Sequence, residues 1–274
     1  MDLVIPIKNE EAESIIKEFI KTYVKNSGCR NVVLGLSGGV DSATVSLLCQ
    51  QAIGRDHTLC LFLPEETTPT QDRKHCYELI KKFRLKCREI DITSTVKHIK
   101  DIVYKKPDKF ALANIKARVR MIMLYTYANT TRSIVCGTSN KSELLTGYFT
   151  KYGDGGADIQ PIGDLYKTQV YELAKHLKIP DTIIKKKPTA GLWQGQTDEK
   201  EIGLKYTTLD RILYGLEHNL KSDEIADILK IKKSEVERIR LMRVKTQHKR
   251  CTPLIPKLGV RTVGYDWRSP IQEG

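Results

Sequence analysis

A doubly wound α/β fold, with a mostly parallel sheet and helices on both faces, is predicted by three features of the sequence. Short apolar runs alternate with stretches of helical periodicity through the first half, the pattern of consecutive βαβ units. The first apolar run ends in a glycine-rich turn that opens directly into a helix. With 274 residues, 40% of them hydrophobic, the chain can bury one large core and is read as a single domain, 1–274.

The first run, Asn31 to Leu36, reads as a buried strand, followed by Ser-Gly-Gly-Val-Asp-Ser and a helix in which Val40, Ala43, Thr44, Leu47 and Leu48 recur at helical spacing. Further strands are predicted at Leu59 to Leu63, Cys87 to Ile92 and Ser133 to Cys136, separated by helices over Gln71 to Phe83 and Asp108 to Asn129. In such sheets ligands sit beyond the carboxyl ends of the strands, so the residues after Leu36, Leu63 and Cys136 are the ones to inspect. The second half holds a Gly/Asp loop over Lys151 to Asp158, a helix at Thr168 to Leu177, and a polar stretch Lys185 to Glu201 suited to a lid. Two amphipathic helices follow, Thr207 to Asn219 and Ser222 to Val244.

Seven cysteines without a CxxC pair fit neither a disulfide framework nor a zinc ribbon. Reduced thiols, the lack of a signal-like start and the lack of about 18 consecutive apolar residues lead us to expect a soluble, cytoplasmic protein with no membrane partner. The net charge of +13 suits an anionic substrate, a nucleic acid or a heavily solvated surface.

The turn Gly35-Leu36-Ser37-Gly38-Gly39-Val40-Asp41-Ser42 lies between strand and helix, where backbone N–H groups and the helix dipole attract anions. It lacks the lysine of GxxxxGK[ST] and does not form GxGxxG, which disfavours γ-phosphate transfer and dinucleotide binding of the usual kinds. A carboxylate in the first turn of a phosphate-binding helix would repel its ligand unless a cation stood between, so Asp41 points to magnesium. The Ser37 and Ser42 hydroxyls suit phosphate oxygens or a helix cap.

The string resembles the SGGxDS signature of ATP pyrophosphatases, which cleave ATP between the α and β phosphates. The run Gly137 to Asp158, with Gly-Thr-Ser-Asn-Lys-Ser-Glu and Gly-Tyr-Phe-Thr-Lys-Tyr-Gly-Asp-Gly-Gly-Ala-Asp, resembles the central motif of ammonia-dependent NAD synthetases. Similar matches occur at Asn114 to Arg118, Leu165 to Val170, Pro188-Thr189-Ala190, Gln196 to Gly203 and His248-Lys249-Arg250. The resemblance implies an adenine nucleotide alpha hydrolase-like fold and ATP-dependent amidation of deamido-NAD by ammonia through an acyl-adenylate. It implies ATP, as co-substrate, at Gly35, Leu36, Ser37, Gly38, Gly39, Val40, Asp41, Ser42, Thr138, Lys167 and Thr189. It implies Mg²⁺ at Asp41 and Glu143, with Asp41, Glu143 and Lys167 as the catalytic group. Deamido-NAD would be held by Arg118, Lys151, Asp158, His248 and Lys249, in a homodimer with the dinucleotide near the subunit interface.

Within the predicted helix, Arg118 lies between Ile115 and Ile122 and is expected to point into the fold, whereas Arg120, four residues after Lys116, is expected on the solvated face. The sequence departs from the common bacterial GTDHAAE pattern, with Ser139, Asn140, Lys141 and Ser142 replacing Asp-His-Ala-Ala. No amidotransferase segment precedes these motifs, so free ammonia or a separate glutaminase partner is expected. The competing reading is a nucleic-acid-binding or tRNA-modifying protein, since Ser222 to Ile239 has the apolar spacing of a helix-turn-helix with Lys232 to Ser234 entering a recognition helix.

Overall fold

The computed structural model describes residues 3, 5–189, 191–193 and 195–263. Four parallel strands, β1 (Asn31–Gly35), β2 (Thr58–Phe62), β3 (Cys87–Glu89) and β4 (Ser133–Cys136), form one sheet in the order β3-β2-β1-β4. Winding proceeds outward from β1 in one direction through β2 and β3, then reverses to β4. The crevice between β1 and β4 is therefore the topological switch point.

Alternation of side chains fills both faces. Val32, Leu34, Cys60, Phe62, Ile134 and Cys136 enter one buried cluster, while Val33, Leu61 and Val135 enter another on the opposite face. The first cluster is covered by α1 (Asn9–Asn26), α2 (Val40–Ile53), α3 (Thr70–Phe83) and, later in the chain, residues 167–184. The second is covered by α4 (Thr93–Ile102) and the long α5 (Lys109–Thr131), which Asp108 caps by accepting from the Ala111 N–H at 2.7 Å. Helix α4 was not foreseen. The predicted strand Cys87 to Ile92 is shorter in the structure, although Ile90 and Ile92 still donate to the Phe62 and Pro64 carbonyls at 2.9 Å.

After β4 the chain turns into α6 (Lys141–Thr146), α7 (Lys167–His176), α8 (Asp181–Ile184), α9 (Asp198–Ile202), α10 (Tyr206–Glu217), α11 (Ser222–Leu229), α12 (Lys233–Lys245) and α13 (Gln247–Arg250). The single helix predicted over Ser222 to Val244 is broken at Lys230, which adopts a left-handed φ of 53°. Leu209, Ile212, Leu213, Ile225, Val236 and Ile239 form a third cluster, so α11 and α12 are held together by apolar packing. No helix among the described residues is long and apolar enough to cross a membrane.

The first and third clusters are joined at Asp210, a fully buried carboxylate on α10. It accepts from the Ser142 hydroxyl at 2.5 Å and the Thr168 N–H at 2.8 Å, while Ser142 Oγ in turn accepts from the Lys167 N–H at 2.9 Å. One side chain thus fixes the first turns of α6 and α7 against each other. Asp210→Ala should strand both donors and cost about 1–3 kcal/mol for each, read as a lowered midpoint of denaturant unfolding. Stability within about 0.5 kcal/mol of wild type would show that the junction does not depend on it.

Candidate active site

The turn that closes β1 is shaped by its own residues. Gly38 has φ +73°, and a Cβ there would lie 2.6 Å from the Asp72 carbonyl oxygen, so only glycine fits. Ser42 Oγ accepts from the Ser37 N–H and donates to the Gly39 carbonyl, both at 3.1 Å, and sits 3.0 Å from Ser37 Oγ. The two hydroxyls staple the turn around the start of α2, with Ser37 Oγ also accepting from the Gly39 N–H at 3.3 Å.

Across the crevice, Asn140 caps α6 by accepting from the Glu143 N–H at 3.0 Å, and Glu143 Oε2 accepts from the Asn140 N–H at 3.2 Å. The Asn140 amide also donates to Asp41 Oδ1 at 3.0 Å. This is the role played by one of the residues that depart from the bacterial pattern: it joins the first turn of α2 to that of α6. Lys167, on the first turn of α7, donates to Asp41 Oδ2 at 2.5 Å and lies 3.5 Å from Glu143 Oε1. Its side chain is 3% exposed, against 17% for Asp41 and 16% for Glu143.

Burial disfavours the Lys167 ammonium, but the Asp41 and Glu143 carboxylates outweigh it and hold its pKa above the ordinary lysine value. Burial pushes Glu143 up to about 8, against the pull of Lys167 and with help from Asp41 and Asp198. Asp198, the first residue of α9, is buried and pushed up by burial. Its Oδ2 accepts from the Tyr206 hydroxyl at 3.2 Å, while its Oδ1 has no partner among the described residues.

These groups face a cavity of about 490 Å³. Gly35, Leu36, Ser37, Gly39, Val40, Asp41, Ser42, Thr138, Glu143, Lys167, Thr189 and Lys249 all line it, whereas Gly38 stands behind the turn against Asp72. The Lys249 ammonium is directed to the Gly147 and Phe149 carbonyls at 2.7 and 2.8 Å, and burial lowers its pKa. Ala190, in the Pro188-Thr189-Ala190 motif, lies outside the described residues.

Four expected substrate contacts are not in this cavity. Asp158 accepts from the Val135 N–H at 2.7 Å and the Tyr125 hydroxyl at 2.9 Å, which ties the loop to β4. Arg118, Lys151 and His248 form an exposed chain, with Arg118 donating to the Lys151 carbonyl at 3.4 Å and Lys151 to the His248 carbonyl at 2.5 Å. The orientation expected within α5 is reversed. Arg118 is exposed, while Arg120 is half-buried, lines the cavity and donates to the Leu63 carbonyl at 3.1 Å. The cause is that α5 buries two faces, one with Ile115 and Val119 toward the sheet and one with Ala113 and Ala117 toward the cavity. Ile122 is left 53% exposed.

Asp41 and Glu143 offer oxygen donors of the kind hard cations prefer, and the orphan oxygen of the nearby Asp198 adds to the negative field. Among the described residues no three His, Cys, Asp or Glu side chains are grouped closely enough to hold a metal alone. A magnesium ion bound by two carboxylates and completed by phosphate and water fits this donor set.

The family model described as NAD synthase matches residues 13–253. An NH3-dependent NAD+ synthetase of Sulfolobus acidocaldarius is 44% identical over 264 residues, covering 95% of this chain and 93% of that one. Among solved structures, the NMN synthetase of Francisella tularensis superposes with a TM-score of 0.82 at 33% identity, covering 92% of this chain and 100% of that one. The NH3-dependent NAD synthetase of Campylobacter jejuni, in complex with the nitrate ion, gives 0.78 at 32% identity, with the same coverage.

The raised Glu143 pKa makes a stability prediction for the metal-free protein. From its ordinary value of 4.5 up to about 8 the folded state holds more proton than the unfolded chain, so this group's contribution to stability falls as pH rises through that window. Glu143→Gln should flatten the decline, measured as urea midpoints at pH 5 and 8 with chelator present. An equal decline in the variant would show that Glu143 is not its source.

Proposed function

The chain belongs to the NAD synthase family, and on that premise we propose that it catalyses ATP-dependent amidation of deamido-NAD by ammonia, yielding NAD, AMP and pyrophosphate. The observation that carries this reading is the convergence of a glycine turn, a buried lysine and two carboxylates at the switch point of the sheet, facing a cavity of about 490 Å³.

A carboxylate resists ammonia because oxide is a poor leaving group, so it must first become a mixed anhydride. The deamido-NAD carboxylate oxygen attacks the α-phosphorus, forming the acyl-adenylate and releasing pyrophosphate. Ammonia then attacks the acyl carbon and AMP departs. The turn amides and the α2 dipole hold the phosphates, and Lys167 neutralises charge beside them. Magnesium bound at Asp41 and Glu143 would supply further positive charge to the leaving pyrophosphate. Thr189, Leu192, Trp193 and Tyr148 line the cavity and would shield the acyl-adenylate from hydrolysis by water. No protein nucleophile is needed.

Arg118, Lys151, Asp158 and His248 lie outside the cavity of one protomer, and we assign them to deamido-NAD bound close to the interface of a homodimer. The exposed Ile122, one turn from Arg118 on α5, supports an interface there. Nitrogen would arrive as free ammonia or from a separate glutaminase, and reduced cysteines fit a cytoplasmic setting. The helix-turn-helix alternative is not favoured, because α11 and α12 are accounted for by the third core cluster.

The test incubates the protein with ATP, Mg²⁺, deamido-NAD and ammonium, and expects NAD, AMP and pyrophosphate in equal amounts. Asp41→Asn and Glu143→Gln should each lower kcat about 10²- to 10³-fold. Formation of ADP and orthophosphate would reject attack at the α-phosphorus. A parallel run with the deamidated mononucleotide separates this reading from the reaction that the Francisella relative's name denotes.

A further inference from the structure

Helix α5 lays a stripe of small and apolar side chains along the cavity, in which Phe110, Ala113, Ala117, Met121 and Leu124 recur at helical spacing. Two polar residues interrupt it. Asn114 is accounted for by the fold, since its side-chain oxygen accepts from the Thr150 hydroxyl at 2.8 Å. Arg120 is the charged member of the stripe.

A guanidinium carries five N–H donors in a fixed plane. Arg120 spends one, from Nε to the Leu63 carbonyl at 3.1 Å, and no carboxylate stands within salt-bridge distance of it among the described residues. The two nearby carboxyls are committed elsewhere, Glu65 to the Lys116 ammonium at 2.7 Å and Asp154 to the Thr150 N–H at 2.8 Å. They favour the charged guanidinium without offsetting its burial. Arg250 shows how this protein satisfies an arginine that serves the fold alone. Also half-buried, it gives Nη1 to the Leu144 and Leu145 carbonyls and Thr246 Oγ1, and Nη2 to the Arg243 carbonyl and Gln247 Oε1, all at 2.6–3.1 Å.

Other cations line the same cavity. Lys167 is taken by Asp41 at 2.5 Å, Lys186 by Asp72 at 2.6 Å and Lys249 by two carbonyls, while Lys187 is exposed. Arg120 is thus the half-buried cation of this wall that keeps a whole edge of donors for a ligand. Its tie to Leu63 fixes it at the carboxyl end of β2. The glycine turn closes the neighbouring β1, and Glu143 and Lys167 lie beyond it, after β4.

We propose that Arg120 is a substrate-binding residue whose Nη1 and Nη2 grip an anionic oxygen pair brought by the reactants, supplied by the deamido-NAD carboxylate or by the α-phosphate of ATP. This rests on the reaction proposed above, in which those two anions must come to reacting distance and repel each other as they do so. The group at Asp41, Glu143 and Lys167 lies toward β4, so a guanidinium on the β2 side screens the pair from the opposite flank.

Equilibrium binding to the variants, with Mg²⁺ present, tests it. Arg120→Met should weaken one of the two ligands about 10- to 100-fold, the scale of charged hydrogen bonds lost. Arg120→Lys should recover part of that loss, because it restores the charge without the fork. If the carboxylate is the ligand, deamido-NAD weakens while NAD, which carries an amide there, binds as before. If the α-phosphate is the ligand, ATP weakens while inorganic pyrophosphate does not. The proposal is overturned if Arg120→Met binds every ligand as wild type does, if NAD and pyrophosphate weaken as much as the substrates, or if both variants fail to fold. Wild type that forms no NAD, while Arg120→Met still loses ATP selectively, would sink the amidation reading and spare the anion contact.

Discussion

Removing an ammonium from water costs several kcal/mol unless an anion stands beside it, and Lys167 meets that condition with Asp41 at 2.5 Å, while the Glu143 carboxyl lies 3.5 Å away on the other side. The three groups come from three helices whose first turns have no reason to meet in an uncommitted α/β fold. They meet because Asn140 bridges α2 to α6 and Asp210 binds α6 to α7. A buried ion cluster of this kind adds little net stability over an apolar replacement, so chemistry at the cavity accounts for it better than folding does. A polyphosphate arriving with its cation would meet a lysine already charged and two carboxylates already aimed.

The positions of these groups follow from topology as much as from side chains. With β1 and β4 adjacent, α2 leaving β1 on one face and α5 reaching β4 from the other, the turn after β1 and the segment after β4 open onto one crevice. The sheet supplies the floor. The α6 to α10 region supplies Glu143, Lys167 and Asp198, and the segment before α9 supplies a wall. The excess of basic residues is compatible with an anionic substrate, yet the lysines that matter are few: Lys167 serves the carboxylates, Lys116 the buried Glu65 and Lys249 two backbone carbonyls.

Much of this was legible in the sequence where pattern and chemistry coincide. β4 lies at its predicted bounds and the other strands begin within one residue of theirs, because apolar runs bounded by turns admit few alternatives. Gly38 to Ser42 announced the tight turn between β1 and α2 through residue types that such a turn requires. The arginines of α5 were misplaced because a helix buried on two faces has no single apolar stripe to orient it. The break at Lys230 has no glycine to mark it, since a lysine occupies the left-handed position, but the helix-turn-helix spacing had a second helix entered at Lys232 to Ser234, where α12 begins. Lys116 and Asp198 were quoted within motifs but given no role. A lone charge in a helix or a polar stretch acquires meaning only through partners distant in the chain, such as Glu65 for one and Tyr206 for the other.

The central claim is that this cavity brings a carboxylate oxygen of the acceptor onto the innermost phosphorus of ATP. Deamido-NAD labelled with ¹⁸O in its nicotinate carboxylate tests it directly, with the AMP and pyrophosphate products analysed by mass spectrometry. The account predicts one ¹⁸O atom in each AMP and none in pyrophosphate. Unlabelled AMP, or label appearing in orthophosphate released with ADP, would contradict it.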